Sequence, residues 1–598
     1  MPDGAGDWRD SAIDRIGAEL KSQLQADCLD KGALSAYKNR DVRAGWRLPV
    51  AFSDRERRLD VIITPGVPFS PPRIALVDRP PLLTWPHIEE DGVLCLNNDG
   101  MTVDFRNPEQ VVVSMLSAAY ELIEGCIAGK NREAFLDEFQ SYWIRASGPR
   151  GKPGWSLVSV GCPTRIVRVW YGREFAILAD DDASLQRWYQ NRYGEPKRSF
   201  ASAPAAFVWL NRPLYPDEYP DTADGLTKLI GALSSESIPI VRGLASASPE
   251  RMTVVLGAQS QHGVCLAKVD LTAGRNVKFE GPNRHSRLKG FRPGKAPPAQ
   301  MAQAYLQSST PVSKANIARI DPSWIHGRDQ DPHQEKLRHQ KVVIVGCGSV
   351  GSNVAVLLTQ AGIGSLTFVD SENLEWANIG RHALGAIHQG KNKARALAES
   401  IRQNYPHVCV DARDSGWERV RDTEPDLIAA ADLIINTTGS WPANAAMNIW
   451  QRSQDKPPII LYGWTEAYAC AGHAVAVGPR GACLECGMNR FGEPIEPVTI
   501  WETADTQRRE PGCGAVFQPY GPVELMSTVQ LVAQAALDLI LDKQNPAAHW
   551  IWACRKSMLV DCGGEWNPRW TEGDQGREKG GLSLVREWMP RADCLCLH

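Results

Sequence analysis

Apolar residues recur every three to four positions over residues 8–35, at Ile13, Ile16, Leu20 and Leu24, which predicts an amphipathic helix. Three strand-like runs follow, Trp46–Phe52, Leu59–Ile63 and Arg73–Val77, with a proline corner (Pro65, Pro68, Pro71, Pro72) before the last. Helical spacing returns over 108–127, so residues 1–147 read as an α+β domain. Ser147-Gly-Pro-Arg-Gly-Lys-Pro-Gly breaks the pattern. From 148 to 315, β-rich runs (Trp155–Val160, Thr164–Tyr171, Met252–Leu256) accompany a helix near 223–234, and Pro293–Pro298 reads as a turn or linker. This α+β linker domain carries no functional constellation, and a spacing role falls to it. From 316 to 598 the pattern becomes strand–turn–helix–strand. Lys341–Gly346 is almost wholly apolar, as in a strand buried on both faces, and Thr367–Asp370 and Asp432–Thr437 repeat it. That is a Rossmann-like, doubly wound α/β domain.

Composition narrows the class. The chain has 598 residues, 43% hydrophobic and 23% charged, which fits a multidomain globular protein. A net charge of −3 supplies no field for nucleic acid or anionic membrane. No run approaches the ~18 apolar residues of a membrane span, and the N-terminus shows no basic-then-apolar export signal. Fifteen cysteines spread from Cys28 to Cys596 therefore suggest a reducing, cytoplasmic setting and roles as free thiols, metal ligands or nucleophiles.

Gly346-Cys-Gly-Ser-Val-Gly351 follows a strand and opens a helix. Gly346, Gly348 and Gly351 permit a tight turn and close approach of phosphate to the helix N-terminus. Asp370 ends the next strand, where a carboxylate can bind a ribose. An NAD-dependent oxidoreductase fits these features as well as an ATP enzyme does. Asn378-Ile-Gly-Arg381 and Lys393 tip the balance, because cations neutralise charge developing on an α-phosphorus, and hydride transfer needs fewer of them.

At these residues the sequence resembles the ThiF/MoeB/ubiquitin-activating adenylyltransferase family. The resemblance implies ATP and Mg²⁺ as cofactors, Asp370 on the ribose, and Asn378, Arg381 and Lys393 on phosphates. Arg328, in Trp324-Ile-His-Gly-Arg328, matches an upstream arginine that commonly comes from the partner of a homodimer. One departure concerns Mg²⁺: Gly439 stands where the family has its metal-binding aspartate, leaving Asp370 or Asn436 as substitutes.

Two cysteines are candidate nucleophiles. Cys513, in Glu510-Pro-Gly-Cys-Gly, lies in a glycine-flanked loop before a helix predicted from about 523. In the resembling activating enzymes, a loop cysteine at this stage captures the acyl-adenylate as a thioester. Cys95 lies in Trp85-Pro-His-Ile-Glu-Glu-Asp-Gly-Val-Leu-Cys-Leu, after the proline corner. Roughly residues 10–140 resemble ubiquitin-conjugating enzymes, with Trp85-Pro-His87 in place of His-Pro-Asn. His87 then takes the catalytic place of the missing amide or braces the loop. The order conjugating domain, linker, activating domain resembles the bacterial fusion enzymes of CBASS antiphage operons. That resemblance implies antiviral defence by ligation: the C-terminus of a cGAS/DncV-like nucleotidyltransferase is adenylated, passed from Cys513 to Cys95, and joined to a target amine. A sulfur-carrier-type adenylyltransferase without ligation is the alternative, beside the oxidoreductase.

Cys483-Leu-Glu-Cys486 has zinc-compatible spacing, and Cys594-Leu-Cys596 could return a second pair for structural Zn²⁺, with Cys554 and Cys562 competing. Cys347 reads as a bystander in a loop that binds through backbone. Cys28, Cys126, Cys162, Cys265, Cys409 and Cys470 read as small packing residues.

Overall fold

Gln25 adopts a left-handed backbone conformation (φ 51°), and Ala26 N–H closes onto the Leu20 carbonyl at 3.1 Å. The first helix therefore ends at Leu24, short of the predicted residue 35, and Asp27–Cys28 pairs with Trp46 and Arg47 instead. The computed structural model describes residues 4–96, 103–148, 151–161, 163–196, 200–248, 251–272, 297–501, 506–509, 516–572, 574–594 and 596. The predicted turn at 293–298 falls outside them up to residue 296. They form two compact units, one of residues 1–180 with 202–318, the other of 181–201 with 319–598.

The first unit opens with a four-stranded antiparallel meander: Asp27–Cys28, Ala44–Ala51, Glu56–Ile63 and Arg73–Leu76. Its inward residues, among them Leu59, Val61, Ile63 and Ile74, pack on the helices Gly4–Leu24 and Pro108–Ile127 through Ile16, Leu20, Met115 and Ala119. A second, eight-stranded mixed sheet carries the middle region, with Arg165–Tyr171, Ala203–Trp209, Arg251–Ser260 and Gly263–Thr272 consecutive at its centre in the order 263–272, 251–260, 203–209, 165–171. The helix Ala223–Leu233, expected near 223–234, covers one face. Helix Phe139–Ala146 joins the two parts. Trp143 is fully buried, donates from Nε1 to the Ala315 carbonyl at 2.9 Å, and packs edge-on to Tyr219.

The second unit is the doubly wound α/β domain. Five parallel strands, Cys409–Arg413, Ser365–Val369, Lys341–Val345, Leu433–Asn436 and Ile459–Thr465, continue into antiparallel Ala471–Val477, Ala548–Arg555 and Gly580–Glu587. One face is covered by the helices Ser349–Ala361, Lys393–Asn404 and Pro522–Ile540, the other by Trp417–Thr423 and Trp441–Arg452. Helix Asp182–Tyr193, inside the middle region by sequence, packs here, and Asn191 Nδ2 donates to the Pro406 carbonyl at 2.9 Å.

Two helices, Pro108–Ile127 and Pro522–Ile540, are long and apolar enough by length and composition to cross a membrane, although the sequence pattern suggested no such run. Both lay their apolar faces into cores, the second through ten buried residues including Leu525, Val529, Val532 and Leu539.

Trp143→Ala removes both the packing and the hydrogen bond of a fully buried side chain, so it should lower the stability of the first unit by about 3–5 kcal/mol, read as a shifted midpoint in urea denaturation.

Candidate functional site

The apolar strand Lys341–Val345 delivers the chain to Gly346, whose φ of 87° is left-handed. A Cβ there would meet Thr438 N at 2.7 Å, and one on Gly351 would lie 1.9 Å from the Gly346 carbonyl oxygen. Both glycines are obligatory for the close packing of turn on helix. Gly348 caps helix Ser349–Ala361, and nothing lies within 4 Å of the Cβ it lacks. That leaves a cradle at the helix N-terminus, where unsatisfied N–H groups and the dipole favour phosphate. The donors and the space suit a nucleoside triphosphate.

Asp370 holds the loop from the next strand. Its Oδ2 accepts from Cys347 N at 2.7 Å and its Oδ1 from Glu372 N at 2.8 Å. Burial still pushes its carboxyl upward, against those two bonds. His382 braces the same loop from below: Nε2 donates to the Cys347 carbonyl at 2.7 Å, and Nδ1 accepts from Leu384 N. Burial drives its pKa down to about 4, so the ring is neutral. Nothing in the sequence pattern singled out His382. The Cys347 thiol is buried and pushed up by burial, while its backbone does the bonding.

Lys393 opens its helix, buried but for its pairing with Glu372 Oε2 at 2.5 Å. Arg381 donates from Nη1 to the Gln518 carbonyl at 3.2 Å and lies over the Tyr520 ring at 4.6 Å. Asn378 Oδ1 accepts from Glu375 N in a short helical turn. Arg328 is exposed, in a left-handed conformation after helix Pro322–Gly327. Asn436, one of the two substitutes for the metal-binding aspartate, turns inward. It is 2% exposed, its Oδ1 accepts from Thr438 N and Oγ1, and its Nδ2 donates to Asn444. Those bonds occupy its amide; Asp370, the other substitute, accepts one backbone N–H on each carboxylate oxygen.

A cavity of about 550 Å³ spreads from the loop. Gly348, Ser349, Thr438 and Gly439 line one side, Trp441, Trp464, Glu466, Thr499 and Trp501 the other, with Gln518 and Tyr520. Cys513 lies outside the described residues. Thr499, Trp501, Gln518 and Tyr520 line this cavity, whereas the nearer described residues 506–509 and 517 are not among its lining. The predicted helix beyond begins at Pro522.

In the first unit, Cys95 ends a tight hairpin in which Ile88 bridges Leu94 and Cys95 N donates to the His87 carbonyl at 2.8 Å. Gly92 makes the turn at φ 90°, and a Cβ there would strike the Leu76 carbonyl oxygen at 2.5 Å. The thiol is half-buried, 3.6 Å from Glu89 Oε1. Arg40 fixes that carboxylate at 2.8 Å and also pairs with Asp91. Burial first, and the Glu89 charge second, push the Cys95 thiol above its ordinary pKa. His87 adopts φ 59°; its N–H donates to Tyr142 Oη at 2.9 Å, and Nδ1 lies 3.5 Å from Glu138. Tyr142 in turn donates to Glu138 at 3.0 Å. His87 thus joins the hairpin to helix Phe139–Ala146 through its backbone on both sides.

The remaining cysteines sort by position. Cys483, Cys486, Cys594 and Cys596 bring their sulfurs within 4.8 Å of one another, with Cys483 3.5 Å from Cys594 and Cys486 3.4 Å from Cys596. Ligand sulfurs around a tetrahedral Zn²⁺ stand about 3.8 Å apart, given Zn–S of about 2.3 Å, so the set fits that ion. Cys554 and Cys562 do not compete for it; they gather at Cys470, whose carbonyl accepts from Cys554 N at 2.8 Å. Cys28 is exposed rather than packed, Cys409 is half-buried, and Cys162 lies outside the described residues.

The ThiF family model matches residues 325–553, and the model of prokaryotic E2 family B matches residues 16–148. The chain is a fusion of an E2-like domain and an E1-like domain. The ATP-dependent ubiquitin transferase-like protein Cap2 of Pseudomonas aeruginosa is 24% identical over 87% of the chain and 93% of that protein. Cap2 of Vibrio cholerae is 23% identical over 39% of the chain and 41% of its own length. Escherichia coli MccB bound to MccA-N7isoASN aligns at TM-score 0.31 and 18% identity, over 44% of the chain and 68% of MccB. ThiF and E1-like domains use ATP with Mg²⁺, and the fusion is an E1/E2-like enzyme of adenylation and conjugation in that general sense.

Replacing Glu89 by Gln removes the negative charge beside Cys95. The pH midpoint for alkylation of that thiol by iodoacetamide, above the ordinary range in the native protein, should move down toward it. Peptide mapping of the alkylated Cys95 checks this.

Proposed function

We propose that the fusion joins a partner protein to a target amine through two thioesters. The E1-like domain adenylates the partner's C-terminal carboxylate in the cavity of about 550 Å³. Cys513 captures the acyl group and releases AMP, Cys95 accepts it by thioester exchange, and a target amine, on a lysine or elsewhere, displaces Cys95. The single observation that carries this reading is the pairing, in one chain, of a phosphate-cradling glycine loop with a second thiol on an E2-like hairpin. Splitting amide formation into covalent steps makes each step easier, and tethering both domains raises the effective concentration of the second thiol.

Gly348 and the first turn of Ser349–Ala361 cradle the phosphates, Arg381 and Lys393 neutralise charge, and Asp370 orients the ribose. Bringing Arg381 onto a phosphate costs its bond to the Gln518 carbonyl, so nucleotide binding bears directly on the chain just after the Cys513 segment. Arg328 reaches the site of the partner subunit in a homodimer built through this domain. Zn²⁺ held by Cys483, Cys486, Cys594 and Cys596 is structural: no open ligand position remains among four thiolates. The likeness to the ATP-dependent ubiquitin transferase-like protein Cap2 over 87% of the chain supports the transferase reading; a cGAS/DncV-like nucleotidyltransferase as the partner, in a cytoplasmic antiphage system, is what the resemblance to the CBASS fusion enzymes implies.

Incubation with ATP and such a nucleotidyltransferase, followed by non-reducing electrophoresis, tests the relay. Cys513→Ala should abolish every thiol-sensitive adduct while ATP–pyrophosphate exchange continues. Cys95→Ser should leave the Cys513 adduct and halt ligation. A thiol-sensitive adduct persisting in the double variant would sink the relay.

Chelation should release one Zn²⁺ per chain and lower the melting temperature of the second unit, and Cys594→Ser should bind less than a tenth of an equivalent. Metal analysis beside calorimetry reads both.

A further inference from the structure

Four side chains make a continuous line across the sheet of the second unit, three on neighbouring strands and one just past the end of the fourth. Glu466 follows Ile459–Thr465, His473 lies on Ala471–Val477, His549 on Ala548–Arg555 and Arg586 on Gly580–Glu587. His549 stands directly opposite Arg586, and His473 is its diagonal neighbour, since Val475 pairs with His549 and His473 with Ile551. Arg586 Nε lies 3.2 Å from His549 Nδ1, His549 Nε2 2.9 Å from His473 Nδ1, and His473 Nε2 2.9 Å from Glu466 Oε1. Both rings are buried, and Trp464 stacks on them with its centroid 4.9 Å from His473 and 6.4 Å from His549.

Only Arg586 has a donor role that chemistry fixes in advance. Its N–H makes His549 Nδ1 an acceptor, which puts the ring proton on Nε2. That proton makes His473 Nδ1 an acceptor in turn, and His473 donates from Nε2 to Glu466. Every N–H in the line therefore points one way, and the carboxylate at its end is ionised.

Glu466 spends the rest of its capacity on the cavity wall. Its Oε1 also accepts from Val498 N at 2.7 Å, and its Oε2 from Thr499 N at 2.8 Å and Thr499 Oγ1 at 2.6 Å. Trp501 Nε1 completes the set by donating to Thr499 Oγ1 at 3.0 Å. A protonated carboxyl would lose at least one of these four accepted bonds. Glu466, Thr499 and Trp501 all line the cavity shared with the glycine loop, whereas Arg586 faces a different one, of about 420 Å³.

We propose that Arg586, His549 and His473 are positioning residues, a one-directional hydrogen-bond chain that keeps Glu466 ionised so that, through Val498 N and Thr499, it fixes Thr499 and Trp501 in the wall of the adenylation cavity. The proposal rests on the adenylating reading for the cavity's use, and on geometry alone for the chain itself. Burial opposes ionisation of Glu466, yet the bonds from His473, Thr499 and Val498 outweigh it and hold its pKa below the ordinary value. Burial first, with the Arg586 charge beside the ring, holds His549 neutral.

Nitrogen-15 NMR of the histidine-labelled full chain tests this without any substrate. Both rings should show a protonated Nε2 and a bare Nδ1, with signals assigned through His473→Asn and His549→Asn. Arg586→Met removes the fixed donor. It should abolish the single tautomer at His549 and lower ATP-driven adduct formation with the nucleotidyltransferase about ten-fold, with KM for ATP within two-fold. Arg586→Lys keeps a donor and should restore both. A protonated Nδ1 on either histidine of the native chain would overturn the proposal. So would an Arg586→Met chain that reacts like the native one, or an Arg586→Lys chain no better than Arg586→Met. Absence of any adduct in the native chain would instead remove the adenylating reading, and the tautomers would still decide the chain.

Discussion

The turn at Gly346–Gly351 is packed so closely at both ends that a methyl group added to Gly346 or Gly351 has nowhere to go, with 1.9 Å between the Gly351 Cβ position and the Gly346 carbonyl oxygen. Everything around the cavity is arranged against that turn. Asp370 accepts its amide from one side, His382 donates to its carbonyl from another, and Thr437 Oγ1 donates to the Gly346 carbonyl at 2.7 Å. A loop saturated by protein partners on its outer side can present its remaining N–H groups only to the cavity. The cradle is thus a by-product of tight packing, and the helix dipole behind it supplies the sign of the charge it will hold.

The glycine loop and the hairpin of Cys95, the two candidate sites, differ in electrostatics. Arg381 and Lys393 stand near the glycine loop, where phosphate charge must be neutralised. Around Cys95, Glu89 at 3.6 Å and Glu138 act against the thiolate, Arg145 acts for it, and Arg40 is spent on holding Glu89 and Asp91. A thiol in that setting resists ionisation and attracts cations, among them a protonated amine. Such a surrounding suits the receiving end of a conjugation better than the phosphate chemistry at its start.

Much of this was legible in the sequence wherever the signal was local. The apolar run at 341–345, the glycine spacing and the helix at 108–127 all depend on neighbours a few residues away, and the structure places them as read. The Cys-x-x-Cys pair was legible as half a site, but the choice between Cys594 with Cys596 and the competing Cys554 and Cys562 was not, because the fold brings the first of these to it from over a hundred residues away. The end of the first helix was misplaced because Gln25, an ordinary helix former, is held left-handed by tertiary pairing of Asp27–Cys28. Residues 466, 473, 549 and 586 share no periodicity at all. Their alignment comes from the register of three antiparallel pairings, which no window along the chain can contain.

Helix Phe139–Ala146 gives the E2-like part a particular kind of dependence. Tyr142 and Arg145 reach the hairpin of Cys95, through the His87 amide and the Ile88 carbonyl, while Trp143 and Gln140 are bonded into the neighbouring sheet through Ala315, Leu266 and Ile317. One short helix is therefore both the outer buttress of the thiol's hairpin and a member of another core. An E2-like domain built this way is not a portable module. Recombination that moved residues 16–148 into a new chain would carry the thiol and this helix but leave behind the sheet on which Trp143 and Gln140 are anchored, so the conjugating part and its adjoining sheet are expected to travel through evolution as one piece.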